Sequence, residues 1–180
     1  MTSRTIYYVA QSLDGFIADR EGSLDWLLDF GFDDFQQQYD DFFAGVGAIV
    51  MGAGTYHWLA EHSEQWGYAA TPTWVVTHGD LPAIDGADFR RSDDAEAALL
   101  EARAVAGELD TWVVGGGILA AALLDARLID RLQVTTMPVT LGAGTPVLPH
   151  AAASIPWHLE SVRPLGSAGA VESIYRARSS

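Results

Sequence analysis

Cysteine and lysine are missing altogether from this chain of 180 residues. Without cysteine there is no disulfide, no thiolate nucleophile and no Cys-ligated zinc. Without lysine all ten cations are arginines, which excludes lysine Schiff-base chemistry and a phosphate-loop lysine. Positive charge is scarce in any form: 24 Asp+Glu give a net charge of -14, a field that repels nucleic acid and anionic lipid. An anion bound here must be held by local geometry. Long apolar runs are also absent; no stretch reaches the ~18 residues of a membrane span, and no long apolar run follows Arg4 near the N-terminus. The expectation is a cytoplasmic protein with neither nucleic-acid nor membrane partners.

The chain is 49% hydrophobic, enough for one compact domain over residues 1–180 and too short for two comfortable ones. Its most informative stretch is Thr111 to Leu119, where a strand-like run passes through Gly115, Gly116 and Gly117 into an apolar helical pattern, Ile118 to Leu124. Glycine has no Cβ, so backbone N–H groups can approach a ligand, and a helix starting there adds orphan donors and partial positive charge. Such glycines also simply close a tight turn. A second junction, Ala48 to Leu59, repeats the pattern with Gly52, Gly54 and Thr55. Two junctions predict a two-sided cleft for an anionic cofactor or substrate. The spacing Gly52-x-Gly54-x-x-His57 lacks the last glycine of the dinucleotide fingerprint, and the acid expected about 20 residues on is replaced by a strand candidate at Thr73 to Val76, so an ordinary Rossmann reading is weak.

Strands are expected at Thr5 to Ala10, Ala48 to Met51, Thr73 to Thr77, Ala87 to Arg90, Thr111 to Val114 and Arg131 to Val139, with a closing hairpin of Trp157 to Leu165 and Ala170 to Arg178. Helices are expected at Asp33 to Phe43, acidic on its outer face, at Ser92 to Val105, capped at its start and stopped near Gly107, and at Gly116 to Ala126. Alternating strands and helices argue for a parallel sheet, and the terminal hairpin for an antiparallel appendage. The fold class is α/β, a mixed, mostly parallel sheet flanked by helices.

Four segments in this order resemble the dihydrofolate reductase fold, and within it the RibD C-terminal (riboflavin biosynthesis reductase) domain. They are Val9 to Ala18, Val50 to Tyr56, Val113 to Gly117, and Ile129 to Leu132 leading to Pro138 to Leu148. The resemblance runs nearly end to end and implies a three-layer dihydrofolate reductase-like fold and an NAD(P)H-dependent oxidoreductase. The implied cofactor is NADPH. Its diphosphate would lie between Gly54-Thr55 and Gly116-Gly117-Ile118, within the junctions formed by Gly52 and by Gly115 to Leu119, and its nicotinamide near Ala10 and Ile17. Ala53 stands where the family usually carries an Arg for the 2′-phosphate, so Thr77, His78 and Arg91 are the replacement candidates; solvated surface cations are the alternative for Arg90 and Arg91. The nearest named activity is reduction of 5-amino-6-(5-phosphoribosylamino)uracil. The deaminase signature Pro-Cys-x-x-Cys cannot occur in a chain without cysteine. Another substrate, dihydrofolate itself, or a non-catalytic NADP-binding protein are the rival readings, and the family implies a homodimer through the C-terminal strands, given exposed apolar positions on Arg131 to Val139.

Hydride transfer is the cofactor's chemistry, so the protein must orient the rings and supply a proton. Asp33 and Asp34, after Trp26, are candidate pocket acids, with helix-dipole complementarity as the alternative; Asp14, in Asp-Gly, is a third, with turn formation as its alternative. Trp26 and Trp58 are candidates to cover a flat heterocyclic substrate. No metal is expected: His57 and His62 are five apart, off one helical face, and His150 and His158 read as peripheral.

Overall fold

A computed structural model describes residues 3–63, 65–68, 70–149 and 154–178; His150 lies outside the described residues. Five parallel strands begin the sheet: β1 (Thr5–Gln11), β3 (Val46–Gly52), β4 (Thr73–Val76), β5 (Phe89–Ser92) and β6 (Asp110–Val114). β7 (Arg131–Thr136) runs parallel to β1, and the antiparallel pair β9 (Trp157–Leu165) and β10 (Ala170–Ala177) completes eight strands in the order β5-β4-β3-β6-β1-β7-β10-β9. A two-stranded sheet of β2 (Phe16–Ala18) and β8 (Thr145–Pro146) sits beside the end of β1. The expected α/β class, parallel body and terminal hairpin are all present.

Helices cover both faces because the central strands are apolar on both. One face packs Tyr7, Val50, Trp74 and Val113 against α4 (Ala95–Ala106) and α5 (Gly117–Asp125) through Leu99, Ala102, Leu123 and Leu124. The other packs Ile49, Met51, Val75 and Trp112 against α2 (Gln36–Phe43) and α3 (Ala53–His62) through Tyr39, Phe42, Phe43 and Tyr56. Burying each such aliphatic or aromatic side chain contributes about 1.5–3 kcal/mol. A short helix α1 (Asp25–Leu28), invisible to periodicity at four residues, leads into α2.

Local chemistry sets the element ends. α4 is capped by Asp94, whose carboxylate accepts from Ala97 N–H at 2.8 Å, and stops at Gly107 in a positive-φ conformation (64°). The strand expected at Ala87 to Arg90 is displaced to Phe89–Ser92, because pairing with β4 sets its register: Thr73 faces Phe89 and Val76 faces Ser92. The strand expected to reach Val139 ends at Thr136. Since β7 lies between β1 and β10, with Leu132, Gln133 and Thr135 buried, it does not offer the exposed apolar positions that dimerisation through Arg131 to Val139 would need.

Gly47 shows how tightly the layers meet. It sits at the bulge where β3 slips register against β6, and a Cβ there would lie 2.8 Å from Leu109 Cβ and 2.9 Å from the Ala106 carbonyl oxygen. We expect Gly47→Ala to lower stability by roughly 1–3 kcal/mol through overpacking. Denaturant unfolding checks this; an unchanged midpoint would show that the end of α4 yields freely.

Candidate functional site

The carboxyl ends of the parallel strands form one rim, the side of such a sheet where ligands bind. Following the strand order places Ser92, Thr77, Gly52 to Gly54, Gly115 to Gly117 and Gln11 successively along it. At the middle of this rim the two glycine junctions touch. Gly115 has φ 63°, and a Cβ on it would collide with the Thr55 side chain; Gly117 is buried so closely that its Cβ would lie 2.5 Å from the Pro146 carbonyl oxygen. Only bare glycine backbone lets α3 and α5 begin this near each other.

The helix starts differ in a way that matters. α4, away from the cleft, is capped by its own Asp94, whereas α3 and α5 have no side-chain cap. Their first-turn N–H groups and positive dipole ends remain for a ligand with acceptor oxygens. A cleft of about 400 Å³ opens at this point, lined by Gly54, Thr55, Gly115 and Gly116, with Ala10, Ile17, Ala18, Leu24, Trp58, Leu59 and Tyr68 around it. Tyr8, Val9, Ala10 and Leu27 belong both to this cleft and to a second chamber of about 220 Å³. The second chamber is walled by Phe32, Phe35, Tyr39, Trp112 and Met137, with Tyr8, Gln38 and Thr135 also on its lining; Gln38 Oε1 and Thr135 Oγ1 are themselves buried without a hydrogen-bond partner. A cleft with two uncapped helix starts, joined to a largely apolar chamber, is a layout with room for two ligands meeting at Ala10 and Tyr8.

Residues 4–169 match the RibD C-terminal domain. The chain belongs to that family. The uncharacterized protein YwjB of Bacillus subtilis (strain 168) is 29% identical over 147 residues, which cover 82% of this chain and 83% of that protein. A protein of Shewanella sp. PV-4, named for riboflavin biosynthesis, superposes with a TM-score of 0.83 at 22% identity, covering 98% of this chain and 99% of that one. A dihydrofolate reductase from Enterococcus faecalis, complexed with NADP(H), gives 0.64 at 19% identity over 98% and 97%. The last two show a shared fold.

In this RibD C-terminal domain, Ala10, Ile17, Gly54, Thr55, Gly115, Gly116 and Trp58 come together on the cleft. Trp58 also stacks on His62 with ring centroids 4.5 Å apart. Gly52 ends β3 and Gly117 begins α5 just behind the lining. Leu119 is buried among core residues of α4 and the sheet, and Ile118 is 75% exposed, so neither side chain lines the cleft and only their backbone N–H groups belong to the helix start. Thr77 and Arg91 lie farther along the rim on neighbouring strands, where Thr77 N–H donates to the carbonyl of Ser92, the residue after Arg91, at 2.8 Å. Arg90 is occupied, stacked 4.6 Å over the Trp74 ring; Arg91 makes a 3.5 Å pair with the fully exposed Asp80, and His78 is exposed beside them.

The acids lie elsewhere. Asp14 lines neither cavity: its carboxylate accepts from Ser12 Oγ at 2.6 Å, Leu141 N–H at 3.0 Å and Gly142 N–H at 2.7 Å, and these bonds hold it down to about 2. It latches the loop after β7 onto the β1–β2 turn. Asp34 accepts from the Ser167 hydroxyl and N–H, each at 2.6 Å, which depress its pKa and fix the β9–β10 turn. Asp33 is exposed and lines neither cavity. Trp26 packs with Met137, Leu165 and Ala170 under α1, not on the cleft. Position after a Trp marked Asp33 and Asp34 in sequence, but the irregular turn before α2 aims Asp34 at the hairpin and leaves Asp33 exposed.

Sequence reasoning missed Tyr8, Gln38, Gln133, Thr135 and Glu172. Glu172 is 1% exposed on β10 and accepts from Gln38 Nε2, from Gln133 Nε2 at 2.7 Å and from Arg163 Nε at 2.7 Å. Burial, then the Glu172 charge, push the Tyr8 phenol up to about 12, so it remains a neutral O–H near neutral pH. One signal was readable: Glu172 shares the inward phase of its strand with Ala170, a charge where an apolar residue is expected.

The Asp14 latch has a defined pH dependence. Its folded-state pKa lies below the ordinary value, so its contribution is present above pH ~4 and disappears as pH falls through about 2. We expect hydrogen-exchange protection at Leu141 and Gly142, corrected for intrinsic rates, to fall across that window, and in Asp14→Asn to be already reduced at neutral pH. Protection unchanged down to pH 2 would contradict the latch.

Proposed function

We propose that this chain is an NADPH-dependent reductase of a pyrimidine- or pterin-like heterocycle. The observation that carries the reading is the pair of uncapped helix starts, α3 and α5, brought into contact by Gly115 and Thr55 beside an apolar chamber. Membership of a reductase family and the fold shared with an NADP(H)-bound dihydrofolate reductase support it.

The residues present fit such a cofactor. The N–H groups at Gly54 to Thr55 and at Gly117 to Leu119 suit a diphosphate, and bare glycine backbone leaves it room. Thr77, His78 and Arg91, at the β4 and β5 end of the rim, suit the adenosine 2′-phosphate in place of the arginine that Ala53 lacks. The Arg91 guanidinium is the strongest of these, because its pair with Asp80 is long and solvent-screened and is readily exchanged for a phosphate. Ala10 and Ile17 would bound the nicotinamide. Bound there, NADPH supplies a hydride for an electrophilic C=N or C=O carbon. The chain supplies orientation, the exclusion of water by Leu24, Leu27, Trp58 and Tyr68, and a neutral phenol in Tyr8, which lines both cavities. Asp14, Asp33 and Asp34 are left out of the chemistry because they lie off both cavities. The nearest named activity in the family is reduction of 5-amino-6-(5-phosphoribosylamino)uracil, and what this particular chamber accepts depends on its own lining.

Two variants separate the parts of the reading. Titrating NADPH and NADH while following tryptophan fluorescence should show tighter NADPH binding, and Arg91→Ala should weaken NADPH by roughly tenfold while leaving NADH unchanged, one charge-assisted contact being worth ~1.5–3 kcal/mol. Gly115→Ala should weaken both cofactors, since the junction can no longer close. Failure of either nucleotide to bind the unaltered protein would overturn the cofactor assignment.

A further inference from the structure

At the end of the sheet opposite the glycine cleft lies a cavity of about 450 Å³, within the ~300–1,000 Å³ of ordinary small-molecule sites. It opens where β1 and β7 begin and β10 ends. From Arg4 on this cavity to Ala10 on the cleft the chain runs roughly 20 Å, at ~3.3 Å per strand residue, and none of the described residues lines both. Five of the chain's ten arginines, Arg4, Arg103, Arg131, Arg176 and Arg178, line it, against two of its 24 acids, Asp130 and Glu160. The composition of the chain predicts the reverse proportion.

The acids of this site hold the arginines without exhausting them. Asp130 Oδ2 accepts from the Thr5 N–H at 2.7 Å and meets Arg103 at 3.6 Å. Glu160 gathers Arg131 at 2.8 Å and Arg176 at 3.3 Å, and Asp110, off the lining, holds Arg4 at 3.3 Å. Each guanidinium carries five N–H donors, of which these pairs take one or two. The four paired side chains stay between 21% and 51% exposed, so they remain reachable from solvent. Arg178 is exposed and forms no ion pair among the described residues. A network serving stability alone needs no such surplus, because exposed pairs contribute little and neighbouring uncompensated cations repel one another.

We infer that this cavity is a second ligand site, for a small phosphate monoester whose phosphate is held by the arginines. With Asp110 counted, the five cations exceed their acids by two, and one phosphate monoester, carrying roughly −1.5 to −2, neutralises that excess. The guanidiniums reach the cavity from the residue before β1, from α4, from β7 and from the end of β10, so their donors arrive from several directions. A tetrahedral phosphate has oxygens for each, whereas a planar carboxylate is met by a single fork. A phosphate group alone leaves most of the 450 Å³ for the organic part of the ester. The inference does not depend on the reductase reading, because it concerns the far end of the sheet.

The test is an amide-shift titration of the isotopically labelled full chain at low salt, where exposed charges are least screened. The probes are inorganic phosphate, glucose 6-phosphate, glucose and succinate, read at Thr5, Arg131, Arg176 and Ala177. Those amides report this end of the sheet, so phosphate entering the glycine cleft is seen separately, at Gly54 and Gly116. Both phosphates should give saturable shifts, with the ester binding at least as tightly as the inorganic ion. Glucose should give none, and succinate, of similar charge, should bind at least about threefold more weakly than the ester. Arg178→Ala should weaken the ester roughly fivefold, and Arg176→Ala combined with Arg178→Ala at least about tenfold. Arg20→Ala, the same change of charge on an exposed turn elsewhere, should leave it unchanged. Arg131 still holds Glu160 in the double variant, and thermal unfolding checks that it is folded. Unmoved amides at the four positions, an ester weaker than inorganic phosphate, succinate or glucose binding as tightly as the ester, or Arg20→Ala as damaging as Arg178→Ala would overturn the inference. NADPH affinity should be the same in Arg178→Ala as in the unaltered protein, so failure of NADPH to bind either one overturns only the reductase reading.

Discussion

The close approach of Gly115 to Thr55 is the contact on which the functional end of this molecule depends. It joins the turn after β6 to the first turn of α3, so that two helices on opposite faces of the sheet start within one cleft. A side chain at residue 115 would force these starts apart, and the positive φ there already disfavours anything but glycine. The rest of the sheet supports the junction from behind: β3 and β6 are largely buried, β1 is buried over its first three residues, and the three adjacent strands bring Gly52, Gly115 and Ala10 to one rim.

Charge explains why this arrangement suits the chain. A protein with 24 acids and ten arginines cannot gather anions by its overall field, and most of its arginines are engaged locally: Arg4 with Asp110, Arg103 with Asp130, Arg131 and Arg176 with Glu160, Arg163 with Glu172, and Arg90 on Trp74. Oriented backbone N–H groups offer fixed partial charge without a cationic side chain. α4 is closed by Asp94, whereas α3 and α5, like α1 and α2, carry no side-chain cap; what sets α3 and α5 apart is that the turns at their starts, Gly54 to Thr55 and Gly115 to Gly116, line the cleft. Behind the second chamber a carboxylate is fully buried, and it is matched inside the fold by three donors, Gln38, Gln133 and Arg163.

Much of this was legible in the sequence, and the reason differs by element. The strands at Thr5, Ala48, Thr73 and Thr111 stood out because parallel strands buried on both faces read as continuous apolar runs, and the junctions stood out because glycines cluster where backbone must approach something. The helix stop at Gly107 followed from local chemistry alone. The small β2–β8 sheet escaped notice, because Phe16–Ala18 and Thr145–Pro146 are too short to show a period and pair across the length of the chain. The partners of the acids were hidden for a similar reason. Asp14 and Asp34 look like catalytic groups until their partners at Leu141, Gly142 and Ser167, more than a hundred residues away, are in place. Gln38 was hidden on a helix whose other polar residues face solvent; only packing against β10 distinguishes it.

The central claim is that the uncapped starts of α3 and α5 form the cofactor's anion site, and amide chemical shifts test it most directly. On adding NADPH to isotopically labelled protein, the account predicts large, saturable shifts at Gly54, Thr55 and Gly116 to Leu119, with the capped start of α4 at Ala95 to Ala97 unmoved. Shifts confined to α4 or to the strand hairpin, or none at the two glycine junctions despite measurable binding, would contradict it.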